Sequence, residues 1–216
     1  MTGYFVAGTD TGVGKTEVAR ALLLLLEGLR PRGLKPVETG CDPSAPSDAL
    51  ALRGSAALDR VCPYRFRLPA APLVAAEAEG REVDLRVIEA LARDGDGPLI
   101  VEAAGGLLVP LAREGGRVLT NLDLAQRLGL PVVLVGRAGL GTINHCALSA
   151  QALAARGLRI AAVVLNRVAP DDDPTVATNP SLVAELTGAR VLGPTPFVPE
   201  AAGRPRALLA ALAVLR

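Results

Sequence analysis

Tyr4-Phe5-Val6-Ala7-Gly8-Thr9-Asp10-Thr11-Gly12-Val13-Gly14-Lys15-Thr16 is the stretch that decides the fold. Four apolar residues run into a glycine-rich turn, and the turn opens onto Glu17-Val18-Ala19 and a leucine-rich segment. Gly-Lys-Thr between a strand and a helix is the setting of a phosphate loop. Glycines let backbone amides turn inward around phosphate oxygens. The helix start adds the positive end of its dipole. Lys15 is then placed to reach the β- and γ-phosphates, and the Thr16 hydroxyl to ligate Mg²⁺. Five residues separate Gly8 from the Gly14-Lys15 pair, one more than the usual spacing. Such a loop implies a nucleotide and specifies no reaction.

Outward from this loop, strand and helix signals alternate. Thr16–Leu29 reads as a buried helix, and Leu34–Val37 as a second strand. Ser47-Asp48 has the chemistry of a helix start. Asp84–Arg93 carries Leu85, Ile88 and Leu91 at helical spacing. Pro98–Val101, Val132–Val135 and Ile160–Leu165 are continuous apolar runs, the pattern of strands buried on both faces of a parallel sheet. Leu122–Leu128, Ile143–Arg156, Ser181–Leu186 and Pro205–Leu215 read as further helices, and 38–46, 60–72 and 169–180 as loops. The expectation is an α/β, three-layer fold with a mostly parallel β-sheet flanked by helices, P-loop NTPase-like, in one domain over residues 1–216.

The chain has 216 residues, half of them apolar, and a formal net charge of +1. That balance gives no footprint for nucleic acid or an anionic membrane. No apolar run approaches the roughly 20 residues that span a bilayer. Tyr4–Ala7 is too short for a signal peptide. Cys41, Cys62 and Cys146 are odd in number and widely spaced, against a disulfide framework or a zinc site. These features predict a cytoplasmic protein. Of 23 lysine and arginine residues only Lys15 and Lys35 are lysines. Lysine thus persists where a compact ammonium differs most from a planar guanidinium.

In a parallel sheet, ligands gather at the carboxyl ends of the strands. Glu102 closes Pro98–Val101 there, either as a solvated acid at a strand tip or as a Mg²⁺ ligand. Asp48 either caps a helix or shares the metal. Lys35, near the end of the second strand, is an exposed lysine or a group that stabilises charge developing in phosphoryl transfer. Ala103-Ala104-Gly105-Gly106 allows a ligand close to the backbone. Gly139-Leu140-Gly141-Thr142-Ile143-Asn144-His145 precedes a helix whose start suits a carboxylate, with Thr142 otherwise a plain cap. His145, the sole histidine, reads more readily as structural than catalytic.

Together these blocks resemble the dethiobiotin synthetase family. Its phosphate loop has the same extra residue as Gly8–Thr16. Lys35-Pro36-Val37-x-Thr39-Gly40, Ser47-Asp48-Ala49-Leu50, Val101-Glu102-Ala103-Ala104-Gly105-Gly106 and Gly141-Thr142-Ile143-Asn144-His145 resemble its later blocks in order, although the family usually has glycine where Ala103 stands. Leu165-Asn166 and Pro196-Phe197 resemble its adenine-binding segments.

The resemblance implies an ATP-dependent ligase that turns 7,8-diaminopelargonate and CO₂ or bicarbonate into dethiobiotin, ADP and phosphate. It implies that Lys15 and Lys35 hold the phosphates and the reacting carbamate. Thr16, Asp48 and Glu102 would surround Mg²⁺, and Gly12, Val13, Gly14, Glu17, Ala103, Ala104 and Gly105 would line the nucleotide. Asn166, Arg167, Pro196, Phe197, Val198 and Glu200 would frame the adenine. Thr11 and Thr39 would meet the substrate's nitrogen end, and Asn144 its carboxylate, from the second subunit of a homodimer. The alternative is a partitioning or regulatory ATPase switch. Such proteins typically carry a second lysine early in the loop, where this chain has Asp10 and Thr11.

Overall fold

The structure, a computed structural model, describes residues 2–170 and 173–216. Residues 171 and 172, inside the loop expected over 169–180, lie outside the described residues. β1 (Gly3–Gly8) leads through the phosphate turn into α1 (Lys15–Leu25). This helix stops short of Leu29. The chain tightens into a 3₁₀ turn over Glu27–Leu29, and Arg30 takes a left-handed φ of 54°. Pro31 follows, and a residue before proline is disfavoured in a helix.

β2 (Arg32–Leu34) and β3 (Val37–Thr39) replace the single strand expected over Leu34–Val37. Pro36 lacks an N–H for the ladder, so the chain leaves the central sheet after Leu34. After α2 (Ser47–Leu52) and α3 (Leu58–Val61), β3 pairs with β4 (Tyr64–Phe66) as a separate parallel pair. α3 and β4 therefore occupy part of the loop expected over 60–72. The chain continues through α4 (Pro72–Ala78), α5 (Leu85–Arg93) and β5 (Leu99–Gly106).

An antiparallel hairpin of β6 (Pro110–Glu114) and β7 (Arg117–Thr120) turns at Gly115-Gly116 and leads into α6 (Asn121–Leu128). Then come β8 (Val132–Arg137), α7 (Thr142–Ala155), β9 (Ile160–Asn166), α8 (Asn179–Thr187) and β10 (Val191–Leu192). The helix expected over Pro205–Leu215 is in pieces: α9 (Arg204–Ala207), α10 (Leu209–Leu212) and a 3₁₀ turn. Leu208 N–H bonds back only three residues, to Pro205 O.

The central sheet has the order β10-β9-β8-β1-β5-β2, and every neighbouring pair is parallel. Side chains alternate across it. Phe5, Ala7, Val101, Leu134 and Val163 enter one core with Ile88, Leu124, Leu153 and Val183. Val6, Ile100, Val133, Val135 and Val164 enter the other with Val18, Leu22, Leu52, Leu208 and Leu212. The fold is thus the three-layer α/β class. All ten sheet residues just named are fully buried, and burial of a Val, Leu or Phe side chain contributes about 1.5–3 kcal/mol. A slip of β1 by one residue would exchange its two faces, so both cores fix the register that delivers Gly8 to the phosphate turn.

β5 runs beyond the expected Val101, so Glu102 lies within the strand, opposite Val6. β1 and β5 end together, Gly8 opposite Gly106, after a register shift between Val6 and Gly8.

Candidate active site

A cleft of about 780 Å³ opens at the carboxyl ends of β1, β5 and β9. The phosphate turn forms one wall. Gly14 precedes α1 at φ 91°, and a Cβ there would lie 2.0 Å from Asn166 Nδ2. Gly8 leaves room for the lysine: a Cβ on it would lie 2.9 Å from Lys15 Nζ. Lys15 curls back over the turn and donates to Asp10 O at 2.9 Å. Burial, helped by repulsion from Lys35, pulls its ammonium below the ordinary lysine value.

The floor is a charged cluster. Lys35 Nζ donates to Glu102 Oε1 at 2.6 Å and to Asp48 Oδ2 at 2.8 Å. Thr16 Oγ1 donates to the same Glu102 Oε1 at 2.9 Å. Lys35 is 4% exposed and Glu102 1%. Burial works against the Lys35 charge, yet Glu102 and Asp48 outweigh it and hold the ammonium above its usual value. For Asp48, Lys35 overcomes the cost of burial and keeps the carboxyl below its usual range. Burial pushes Glu102 up against the pull of Lys35. A buried ion pair is often no more stable than apolar side chains of the same volume. Its place on the wall of a cleft points to chemistry rather than to stability.

Pro36 is what turns Lys35 inward. Where the chain leaves β2, Lys35 N–H bonds to Val61 O at 2.8 Å while its side chain crosses to Glu102 on β5. Asp48 does not cap its helix. Buried Glu38 does so from β3, its Oε1 accepting from Asp48 N–H at 3.1 Å and its Oε2 from Ala49 N–H at 2.8 Å. That frees the Asp48 carboxylate for Lys35. Glu38 was hidden in the sequence as the variable position between Val37 and Thr39, at the start of a stretch expected as loop.

Ala103 points away from the cleft into the core of Phe5 and Val101. Among the described residues Arg30 is the sole non-glycine with positive φ, so the Ala103 methyl meets no backbone strain. The carbonyls of Ala104 and Gly106 are held by Asn121 Nδ2, each at 2.7 Å. This anchors the small-residue segment above Glu102.

At the far end, Asn166 Nδ2 donates to Val13 O at 3.1 Å, and Thr195 Oγ1 donates to Asn166 Oδ1 at 2.7 Å. Arg204 donates to Val198 O and Pro199 O and pairs with Glu17 at 3.5 Å. That ties the 196–200 segment to α1.

The cleft thus gathers Lys15, Thr16, Lys35, Asp48 and Glu102 with Thr11 and Thr39, and joins them to Asn166, Arg167, Pro196 and Val198. Gly12, Gly14, Glu17, Ala104 and Gly105 complete the predicted residues on its wall. Val13 and Ala103 are core side chains, and Phe197 and Glu200 do not line it. Asn144 is exposed and off the cleft, on the first turn of α7. Gly141 precedes that helix at φ 90°; Thr142, expected as its cap, is fully buried, with Oγ1 3.5 Å from Cys146 Sγ.

No group of three or more His, Cys, Asp or Glu side chains able to hold a metal occurs among the described residues. The cleft does offer oxygen donors alone: Thr16 Oγ1, Asp48 and Glu102. Glu102 Oε2 is buried and without a hydrogen-bond partner. A hard cation that draws its other ligands from water and phosphate fits such a set.

Fold and cleft define a phosphate-loop protein, and residues 2–204 match the family model described as an AAA domain. A protein named ATP-dependent dethiobiotin synthetase BioD from Anaeromyxobacter dehalogenans (strain 2CP-C) is 52% identical over 225 residues, covering 99% of this chain and 98% of that one. A protein of the same name from Thermodesulfovibrio yellowstonii is 39% identical over 216 residues, covering 92% and 90%. Among solved structures, chloroplast FtsY from Physcomitrella patens covers 98% of this chain and 64% of its own, with TM-score 0.40 and 16% identity. The chain belongs to the dethiobiotin synthetase family.

Proposed function

We propose that this chain is an ATP-dependent ring-closing ligase that makes dethiobiotin from 7,8-diaminopelargonate and CO₂, releasing ADP and phosphate. The observation that carries the proposal is the buried Lys35 ammonium, facing the Lys15 wall from between two carboxylates. One substrate amine captures CO₂ as a carbamate. A carbamate oxygen attacks the γ-phosphate and ADP leaves. The second amine then attacks the carbamate carbon, phosphate leaves with that oxygen, and the urea ring closes. Chemistry of this kind is governed by positioning and charge stabilisation.

The phosphate turn and Lys15 hold the triphosphate. Lys35 neutralises the carbamate and the transferring phosphoryl group, and Asp48 and Glu102 keep it charged and aimed. Thr16, Asp48 and Glu102 would hold Mg²⁺, which supplies charge neutralisation at the phosphates. Thr11 and Thr39 flank the nitrogen end, and Asn166, Pro196 and Val198 receive the base. Phe197 and Glu200 act only through the course of their segment.

Asn144 sits exposed and off the cleft within one chain. This is compatible with the family resemblance, where the second subunit of a homodimer supplies this residue. The working unit proposed is such a homodimer of one-domain subunits. No helix among the described residues is long and apolar enough to cross a membrane, and a cytoplasmic location suits substrates that are small and soluble.

The test is incubation with MgATP, bicarbonate and 7,8-diaminopelargonate, with product detected by mass. Dethiobiotin formed in step with ADP supports the ligase. ADP release that ignores the diamine supports a regulatory ATPase instead.

A further inference from the structure

The amide of Asn166 is held from two sides. Its Nδ2 donates to Val13 O at 3.1 Å, so a flipped amide would set oxygen against oxygen. On the other side, Thr195 Oγ1 accepts the Arg167 N–H at 3.1 Å and donates its single proton to Asn166 Oδ1 at 2.7 Å. Thr195 is 1% exposed, and its own N–H is bound to Leu165 O at 3.0 Å. Phosphate turn, β9 and the segment after β10 thus agree on one amide orientation.

A carboxamide has two N–H donors and two acceptor lone pairs. Val13 and Thr195 use one of each, which leaves one donor and one acceptor on a side chain that lines the cleft. Adenine offers the complement, a 6-amino donor beside the N7 acceptor. Guanine offers acceptors at both places and would set O6 against Asn166 Oδ1. We propose that Thr195 is the positioning residue for base selection: its hydroxyl locks the Asn166 amide so that ATP is taken and GTP refused. This rests on the reading that the Asn166 end of the cleft receives the base.

The test is Thr195→Val, which keeps the side-chain shape and the main-chain bond to Leu165, alongside Thr195→Ser and Asn166→Ala. Specificity constants are measured for ATP and GTP with diamine and bicarbonate saturating. A well-made bidentate amide contact accounts for about five- to 150-fold discrimination. Thr195→Val is expected to lower the ATP-to-GTP ratio by about tenfold, within that range, and Thr195→Ser to restore it. If Thr195→Val weakens both nucleotides equally, or keeps the wild-type ratio, while Asn166→Ala collapses it, Thr195 is merely structural and the proposal fails. If Asn166→Ala also leaves ATP use and the ratio unchanged, the base lies elsewhere and the reading beneath the proposal fails. Should Thr195→Val not fold, calorimetric binding of ATP and GTP to Thr195→Ala decides on the same ratio.

Discussion

The floor of the cleft and the start of α7 were both expected to meet the same small substrate, yet they are built in opposite ways. On the floor, Lys35, Glu102, Asp48 and Thr16 come from four separate elements or their flanks and bond to one another within one chain, leaving only Glu102 Oε2 of the cluster buried without a partner. At α7, Asn144 stands exposed beside Leu140, which is 76% exposed. The floor is hydrogen-bonded and ion-paired before any ligand arrives, so its groups need little reorganisation during reaction. The α7 corner lies off the cleft in one chain. On the proposed function, phosphoryl chemistry is preorganised by the fold, and substrate capture at α7 would wait on a second subunit.

The largest effect should come from mixing two variants. Lys35→Ala removes the floor and Asn144→Ala the α7 corner, and each alone should lose most activity. Subunits re-associated from both should regain a substantial fraction, because one site of each mixed dimer is intact. Activity no higher than the parents would place both groups in the same chain's site and erase the contrast.

A smaller effect separates the floor's two carboxylates. Glu102→Ala leaves buried Lys35 with the partly exposed Asp48 alone and should cost about 1–3 kcal/mol in denaturant unfolding without nucleotide, the range for a broken buried polar contact. Asp48→Ala should cost under about 1 kcal/mol, because its side chain is 36% exposed. Equal losses would mean that the floor is not the closed cluster described above. Glu38→Ala should cost about 0.5–2 kcal/mol, the range for a lost helix cap. It should also speed amide exchange at Asp48 and Ala49 and leave the α7 amides unchanged.

The least perturbing test concerns reactivity. Burial pushes the Cys62 thiol up to about 12. Thiolate is the reactive form, so alkylation of native protein at Cys62 should be negligible at pH 8 and should rise only as pH approaches that value or as the chain unfolds. Ready labelling at pH 8 would show that the core beneath β3 and α2 is open.

The sequence disclosed the parts of this design that rest on repeating pattern. Apolar runs at Phe5, Ile100, Val133 and Val163 announced a sheet buried on both faces, and Gly14-Lys15-Thr16 marked the phosphate turn. What it hid were contacts between residues distant in the chain. Nothing local says that Glu38 relieves Asp48 of capping, or that Thr195 holds Asn166. The break at Pro36 was visible as a proline, but its consequence, a lysine swung onto β5, depends on strand order. The β6–β7 hairpin escaped because Leu111 and Leu119 give too little alternation in strands this short. Asn144 was recognised from its block, and the resemblance had it act from a second subunit; the structure adds that within one chain it is exposed and off the cleft.

The central claim is that a carbamate, and not water, attacks the γ-phosphate above Lys35. It is tested most directly by supplying bicarbonate labelled with heavy oxygen, quenching early, and weighing the released phosphate. The account predicts phosphate carrying one heavy oxygen, formed only when 7,8-diaminopelargonate is present. Unlabelled phosphate released at the same rate without the diamine would contradict it.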